Sequence, residues 1–152
     1  MLIKLNTEFR YDSMDANSRI LLFMSDTGIE IMSQSEKWLF DGTFDKCPKL
    51  LKQLLTVHAQ YKDELFSCAY CVLPDKDSET YHTIFEKIKE ILLQKNDEIK
   101  VKQIMADFEA ALVNQLKISF DQAFIKGCWF HFNQAIIRRL FNLGKNSSNN
   151  LF

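Results

Sequence analysis

The spacing of apolar residues changes near the middle of the chain, and this change constrains the fold more than any other feature. Before it, three apolar segments are separated by short polar connections: Trp38–Phe44, Gln53–Tyr61 and Leu65–Leu73. Connections this short predict a three-strand antiparallel meander. From Ser78, a predicted N-cap, apolar residues recur at intervals of three and four, which predicts a helix that ends near Gln94.

Two further strand-and-helix units follow this helix. The predicted strands are Val101–Ala106 and Ala123–Cys128, and a stripe from Phe108 to Phe120 predicts the helix between them. A stripe from Phe132 to Phe141 predicts a third helix. A strand reached through a helix is usually parallel to its neighbour. The order predicts an α/β domain whose mixed sheet combines the meander with two helix-crossover strands, and this plan resembles a ribonuclease-H-like fold.

The remaining segments have weaker patterns. Residues 1–18 are predicted to be a polar, irregular segment, residues 19–143 the domain, and residues 144–152 a polar tail. Residues 20–33 contain two short apolar runs around Thr27-Gly28, which predicts a hairpin, with a short helix over residues 20–25 as the alternative.

Composition sets limits on the class of protein. The 152 residues are 47% hydrophobic and 26% charged, as in a single globular domain. A net charge of −1 predicts no general attraction to polyanions. The 13 phenylalanines predict an aromatic core rather than a stacking surface. No signal peptide or membrane-spanning run is visible, so we expect reduced cysteines and a cytosolic or nuclear location.

Two aspartates follow or end predicted strands. Asp41 shares a strand face with Thr43 and Asp45, while Asp107 comes directly after the fourth predicted strand. If those strands are neighbours, Asp41 and Asp107 converge at the sheet edge where parallel strands bind ligands. Paired carboxylates repel unless a cation lies between them, which predicts a divalent, oxygen-liganded metal ion. The alternative is that Asp41 merely ends a strand and Asp107 caps a helix with Glu109 behind it.

Cysteine and histidine spacing suggests a second metal hypothesis. Cys128 and His131 form a C-x2-H pair, which is half of a zinc site in spacing. Cys68 and Cys71 form C-x2-C, but within a strand they point to opposite faces, so we interpret them as buried apolar residues. His58 is expected to be packed or half exposed. Zinc has no further support in the sequence.

Four stretches together resemble the transposase domain of Mutator-like elements (MULE), from about Ile20 to Leu140. They are "WLFDGTFDKCPKLLKQLLTVHA", "YCVLPDKDSETYHTIFEKIKE", "IMADFEAAL" and "IKGCWFHFNQAIIRR". The resemblance implies a DDE-type transposase with a ribonuclease-H-like core that cleaves DNA and joins strands with Mg²⁺ or Mn²⁺. It makes Asp41 and Asp107 the first two catalytic acids and metal ligands. It also implies binding to transposon ends and target DNA, a nuclear location, compatibility with a homo-oligomer, and no membrane partner.

The sequence departs from that family at the third acid. The family carries a glutamate on a helix beyond C-x2-H, whereas no Asp or Glu follows Asp121 here. We therefore expect a C-terminally truncated catalytic domain that does not transpose. The first alternative is a transposase-derived, non-catalytic DNA-binding or regulatory protein. Arg138 and Arg139 could contact phosphate, but a solvated helix face is the favoured explanation of this pair. The second is a zinc-stabilised interaction domain that uses Cys128 and His131.

Overall fold

The computed structural model describes residues 3–4, 8–43 and 52–127, and these residues form eight strands and three helices. The strands are β1 (Ile3–Lys4), β2 (Glu8–Asp12), β3 (Leu21–Met24), β4 (Lys37–Thr43), β5 (Gln53–Tyr61), β6 (Glu64–Leu73), β7 (Gln103–Ala106) and β8 (Phe124–Gly127). The helices are α1 (Asp26–Gln34), α2 (Ser78–Leu93) and α3 (Ala110–Ser119). None of these described helices combines the length and apolarity that a bilayer crossing requires.

The strands form one mixed sheet in the order β2-β3-β6-β5-β4-β7-β8, and β1 pairs with β6 outside this path. β4, β5 and β6 are antiparallel neighbours, as the meander prediction required. β7 lies parallel to β4 and β8 parallel to β7, each reached through a helix. The predicted mixed α/β class, with a meander and two crossover strands, is therefore confirmed.

The aromatic core lies between the helices and one face of β4. The Trp38 indole N–H donates to the carbonyl oxygen of Met32 in α1, and its ring centroid lies 5.4 Å from that of Phe120 at the end of α3. The Phe40 ring centroid lies 5.4 Å from that of Phe85 in α2. Trp38 and Phe40 alternate with Leu39 and Asp41, so Asp41 points to the opposite face of the sheet.

The hairpin predicted over residues 20–33 is wrong. β3 ends at Met24, and Ser25 then caps α1 by accepting a hydrogen bond from the N–H of Gly28 at 2.9 Å. Thr27-Gly28 therefore lies in the first turn of a helix rather than in a β-turn. The serine cap outweighs the turn preference of the Thr-Gly pair because α1 buries Ile29 and Met32 against the sheet.

Residues 1–18 are not uniformly irregular, contrary to prediction. β2 pairs antiparallel with β3 at the sheet edge, and the Phe9 and Phe23 ring centroids lie 5.5 Å apart. The side chain of Arg10 also donates to the carbonyl oxygen of Met24 at 3.0 Å. The charged residues that made this segment look irregular are typical of an edge strand, where one side of the chain faces solvent.

Candidate metal site

Asp41 and Asp107 are neighbours in register, each one residue past the last pair of the parallel strands β4 and β7. Phe40 of β4 lies opposite Ala106 of β7, and each aspartate is the next residue along its strand direction. Neighbouring strands are about 4.8 Å apart, so the two backbones are separated by roughly that distance here. The structure therefore brings together the two aspartates that the sequence singled out.

Asp41 faces a small polar group on β5 and β6. Its cross-strand partner is Thr56, and His58 lies diagonally across on the same face. His58 is buried, and its Nδ1 lies 3.0 Å from the hydroxyl oxygen of Ser67. Burial lowers the pKa of His58, and the nearby Asp41 carboxylate partly opposes that shift. The prediction of a packed histidine is confirmed, and His58 adds a buried polar neighbour to Asp41.

Asp107 belongs to the connection between β7 and α3. Its carboxylate accepts a hydrogen bond from the N–H of Phe108 at 2.8 Å. α3 begins at Ala110 with Glu109 in the N-cap position, so the alternative in which Asp107 caps this helix is wrong. Glu109 makes no side-chain hydrogen bond to the helix that it precedes. The side chain of Asp107 is thus placed before the helix, at the edge that it shares with Asp41.

Glu109 instead contacts α2. The Tyr81 hydroxyl lies 2.8 Å from a carboxylate oxygen of Glu109 and 2.8 Å from the side-chain oxygen of Gln53. The second carboxylate oxygen of Glu109 lies 4.0 Å from Nζ of Lys76. Burial, followed by the Glu109 carboxylate, raises the pKa of Tyr81 well above its ordinary range. These contacts connect β5, α2 and the β7–α3 connection next to Asp107, and sequence spacing had identified Tyr81 only as an apolar member of a helical stripe.

Phe108 was predicted to belong to the buried stripe of α3, and this is wrong. It precedes the helix, and 57% of its surface is exposed. The end of its ring occupies the space beside Gly127, where an added Cβ would lie 2.0 Å from Cζ of the ring. Leu112, Leu116 and Phe120, the other members of the stripe, are buried as predicted.

The other predicted site residues divide into two groups. Cys68 and Cys71 are buried in β6, form no disulfide, and have their pKa values raised by burial, that of Cys68 to about 12. Both therefore behave as the predicted apolar residues. Asp45, Cys128, His131, Arg138 and Arg139 lie outside the described residues, so their assignments stay predictions.

The donor chemistry at the edge suits a hard divalent ion. Two carboxylates on adjacent strands supply the anionic oxygens that Mg²⁺ and Mn²⁺ prefer, and such ions retain several waters beside one or two carboxylates. Within the described ranges no cluster of three or more Asp, Glu, His or Cys residues has the arrangement of a closed metal site. The residues present thus fit an open site with two protein ligands.

The fold and its edge define a mixed α/β domain with paired carboxylates at the ends of parallel strands. The sequence model of the MULE transposase domain matches residues 37–135, from the first residue of β4 through both aspartates and beyond β8. The chain therefore belongs to the MULE transposase domain family. No curated protein gives a significant match to the chain.

Proposed function

We propose that this domain binds one Mg²⁺ or Mn²⁺ ion between Asp41 and Asp107 and presents it to DNA. The observation that supports the proposal most directly is the parallel register of β4 and β7, which puts both aspartates at one edge of the sheet. Membership of the MULE transposase domain family supports DNA as the partner. By the same inference, the fold is ribonuclease-H-like, the class is DDE-type and the location is nuclear.

The charge of the edge explains why an ion is needed before DNA can approach. Asp41 and Asp107 would repel a phosphodiester, and Glu109 adds a third carboxylate nearby. A divalent ion held by the two aspartates would neutralise their charges, and it would offer its remaining coordination positions to a phosphate oxygen. When bound, such an ion polarises the phosphate and lowers the pKa of a coordinated water. Asp41 and Asp107 would hold the ion, and His58, which lies diagonally across from Asp41 on β5, is buried in contact with Ser67.

We expect the 152-residue chain to bind the ion without catalysing strand transfer. Two-ion phosphoryl transfer needs anionic ligands for both metal ions. Two carboxylates fill only a minority of the coordination positions of a single ion. Glu109 is hydrogen-bonded to Tyr81, which directs one of its oxygens toward α2. The DNA contacts predicted for Arg138 and Arg139, and the role of Cys128 and His131, form part of this proposal as hypotheses from the family resemblance.

The proposal is tested by isothermal titration calorimetry, in which Mn²⁺ is titrated into the wild-type chain, Asp41→Asn and Asp107→Asn. Each variant keeps the side-chain shape but removes an anionic ligand, so we expect Mn²⁺ affinity to fall at least about tenfold in each. Asp63→Asn is the matched control, because Asp63 lies exposed in the turn between β5 and β6. Equal Mn²⁺ affinity in the wild-type chain, Asp41→Asn and Asp107→Asn would refute the site.

A strand-transfer assay tests the expected inactivity separately. Mn²⁺-dependent transfer by the wild-type chain that Asp41→Asn abolishes would show that two carboxylates suffice. Salt-dependent binding to duplex DNA that is unchanged in both aspartate variants and needs no Mn²⁺ would instead favour the non-catalytic DNA-binding alternative.

A further inference from the structure

We propose that Phe108 is a stacking platform for an unpaired DNA base beside the metal site. This inference rests on the proposed function, since it places the base of a nucleotide whose phosphate approaches Asp41 and Asp107. It goes further by assigning a residue to the nucleotide itself and by specifying an unpaired base rather than a duplex groove.

Phe108 is placed where such a base would lie. It follows Asp107 directly, so the two Cα atoms are about 3.8 Å apart. Its N–H donates to the Asp107 carboxylate, and 57% of the residue is exposed. A phosphate near Asp107 puts its own base one sugar away, which is within reach of an aromatic ring on the neighbouring residue.

The Phe108 ring is also held in position by the main chain of β8. Gly127 has no Cβ, and the end of the ring fills the space that a Cβ would need, with Cζ and Cε1 at 2.0 and 2.3 Å from that point. A ring set against backbone in this way has little freedom to lose when a base stacks on it. Rigid aromatic side chains provide contact area at low entropic cost for this reason.

Exposure alone does not carry the inference, because single exposed apolar residues are ordinary on protein surfaces. Ile118 is 69% exposed in the last turn of α3, and Phe124 is 65% exposed at the first residue of β8. Phe124 lies at the end of β8 opposite to the carboxyl edge. Among the exposed large apolar residues of the described ranges, Phe108 is the one that adjoins a candidate metal ligand.

An unpaired base is the ligand that fits the exposed aromatic surface of Phe108. In a duplex both faces of each base are already stacked, whereas an unpaired base exposes a π-face to an aromatic side chain. Stacking of this kind tolerates any base sequence and contributes strongly to single-strand binding. It would orient a nucleotide at the metal ion without requiring a base-specific hydrogen bond.

The test uses two duplex oligonucleotides that differ at one unpaired nucleotide. The first carries 2-aminopurine at that position, and the fluorescence of this base falls when it stacks. The second has an abasic site at the same position. Both are titrated with the full chain in Mn²⁺. We expect Phe108→Ala and Phe108→Leu to weaken binding of the 2-aminopurine duplex roughly 5- to 100-fold and to abolish quenching. Phe108→Leu separates ring stacking from apolar contact, and Ile118→Ala is the control for loss of an exposed apolar side chain.

The abasic duplex makes the result specific. Removing the base should weaken wild-type binding by a similar factor and have little further effect in Phe108→Ala, since both changes remove one interaction. Wild-type quenching that persists in Phe108→Ala and Phe108→Leu would overturn the stacking role. That failure is distinct from failure of the metal site, which the Mn²⁺ titration of the aspartate variants measures without DNA. Absence of any wild-type binding to either duplex would overturn both the stacking role and DNA as the partner.

Discussion

The Tyr81 hydroxyl joins the first turn of α2 to Glu109, the residue that precedes α3, through a contact of 2.8 Å. Gln53 at the start of β5 lies at 2.8 Å from the same hydroxyl. A phenol has one proton, so the Tyr81 hydroxyl can donate to only one of these two side-chain oxygens at a time. Because Asp107 lies two residues before Glu109, this buried contact helps to fix the candidate metal ligand.

Replacing Tyr81 with Phe should destabilise the fold by about 1–3 kcal/mol, because it leaves the buried Gln53 amide and the partly buried Glu109 carboxylate without this partner. Urea unfolding of the two proteins measures the difference. Tyr61→Phe is the control, since Tyr61 lies at the exposed end of β5, and its effect should stay within about 0.5 kcal/mol. Equal stability of Tyr81→Phe and Tyr61→Phe would show that the contact contributes nothing.

Replacing Gly28 with Ala should destabilise the protein, although the same change in a helix interior normally stabilises by about 0.5–1 kcal/mol. A Cβ at position 28 would lie 2.8 Å from the backbone oxygen of Cys68, which cannot move without disturbing β6. Thermal unfolding provides the measurement, and Ser33→Ala in the same helix provides the comparison. A higher melting temperature for Gly28→Ala would mean that α1 can shift away from β6 at little cost.

The sequence pattern predicted a strand or helix correctly where the spacing of its apolar residues matches the way it packs in the fold. β5 has the predicted bounds, and α2 begins at Ser78 because Asp77, one residue earlier than expected, takes the N-cap. The error at α1 has a tertiary cause, since Gly28 serves close packing of a helix on β6 rather than a turn. The residue pattern within 20–33 contains no information about Cys68, which lies 40 positions after Gly28 in the sequence.

Some residues of the candidate site could be predicted from the sequence, and others could not. Asp41 and Asp107 follow from strand order, because a crossover strand beside β4 brings them to one edge. The Tyr81 contacts could not be predicted, since Gln53 and Glu109 each lie 28 residues from Tyr81 in sequence. Phe108 was assigned to the core because it has the helical spacing, and only the start of α3 at Ala110 removes it from that stripe.

Truncating Phe40 to Ala should cost about 3–5 kcal/mol, the usual range for a fully buried phenylalanine. The ring packs edge to face on Phe85 between β4 and α2, so its loss opens a cavity beneath both. Phe124→Ala removes the same atoms from a residue that is 65% exposed, and we expect a change within about 0.5 kcal/mol. Urea unfolding measures the free energy of unfolding of both variants. Similar losses of stability in Phe40→Ala and Phe124→Ala would contradict the assignment of Phe40 to the core.

Asp77 should give α2 a stability that depends on pH. Its carboxylate accepts the Thr80 N–H at 2.8 Å, and this hydrogen bond, more than any other cause, lowers the pKa of Asp77. A lowered pKa in the folded state means that the unfolded chain binds the proton more tightly. The stabilisation is therefore present above about pH 4 and is lost as the pH falls through the lowered value.

Two substitutions separate the N-capping hydrogen bond of Asp77 from the effect of its negative charge. Asp77→Ala should cost about 1 kcal/mol near neutral pH, whereas Asp77→Asn keeps an equally good cap and should cost much less. The Ala penalty should shrink from about pH 7 to about pH 3, because acidification removes the carboxylate from the wild-type protein only. Urea unfolding at both pH values provides the measurement. A penalty for Asp77→Ala that is the same at both pH values would show that the carboxylate charge does not stabilise the start of α2.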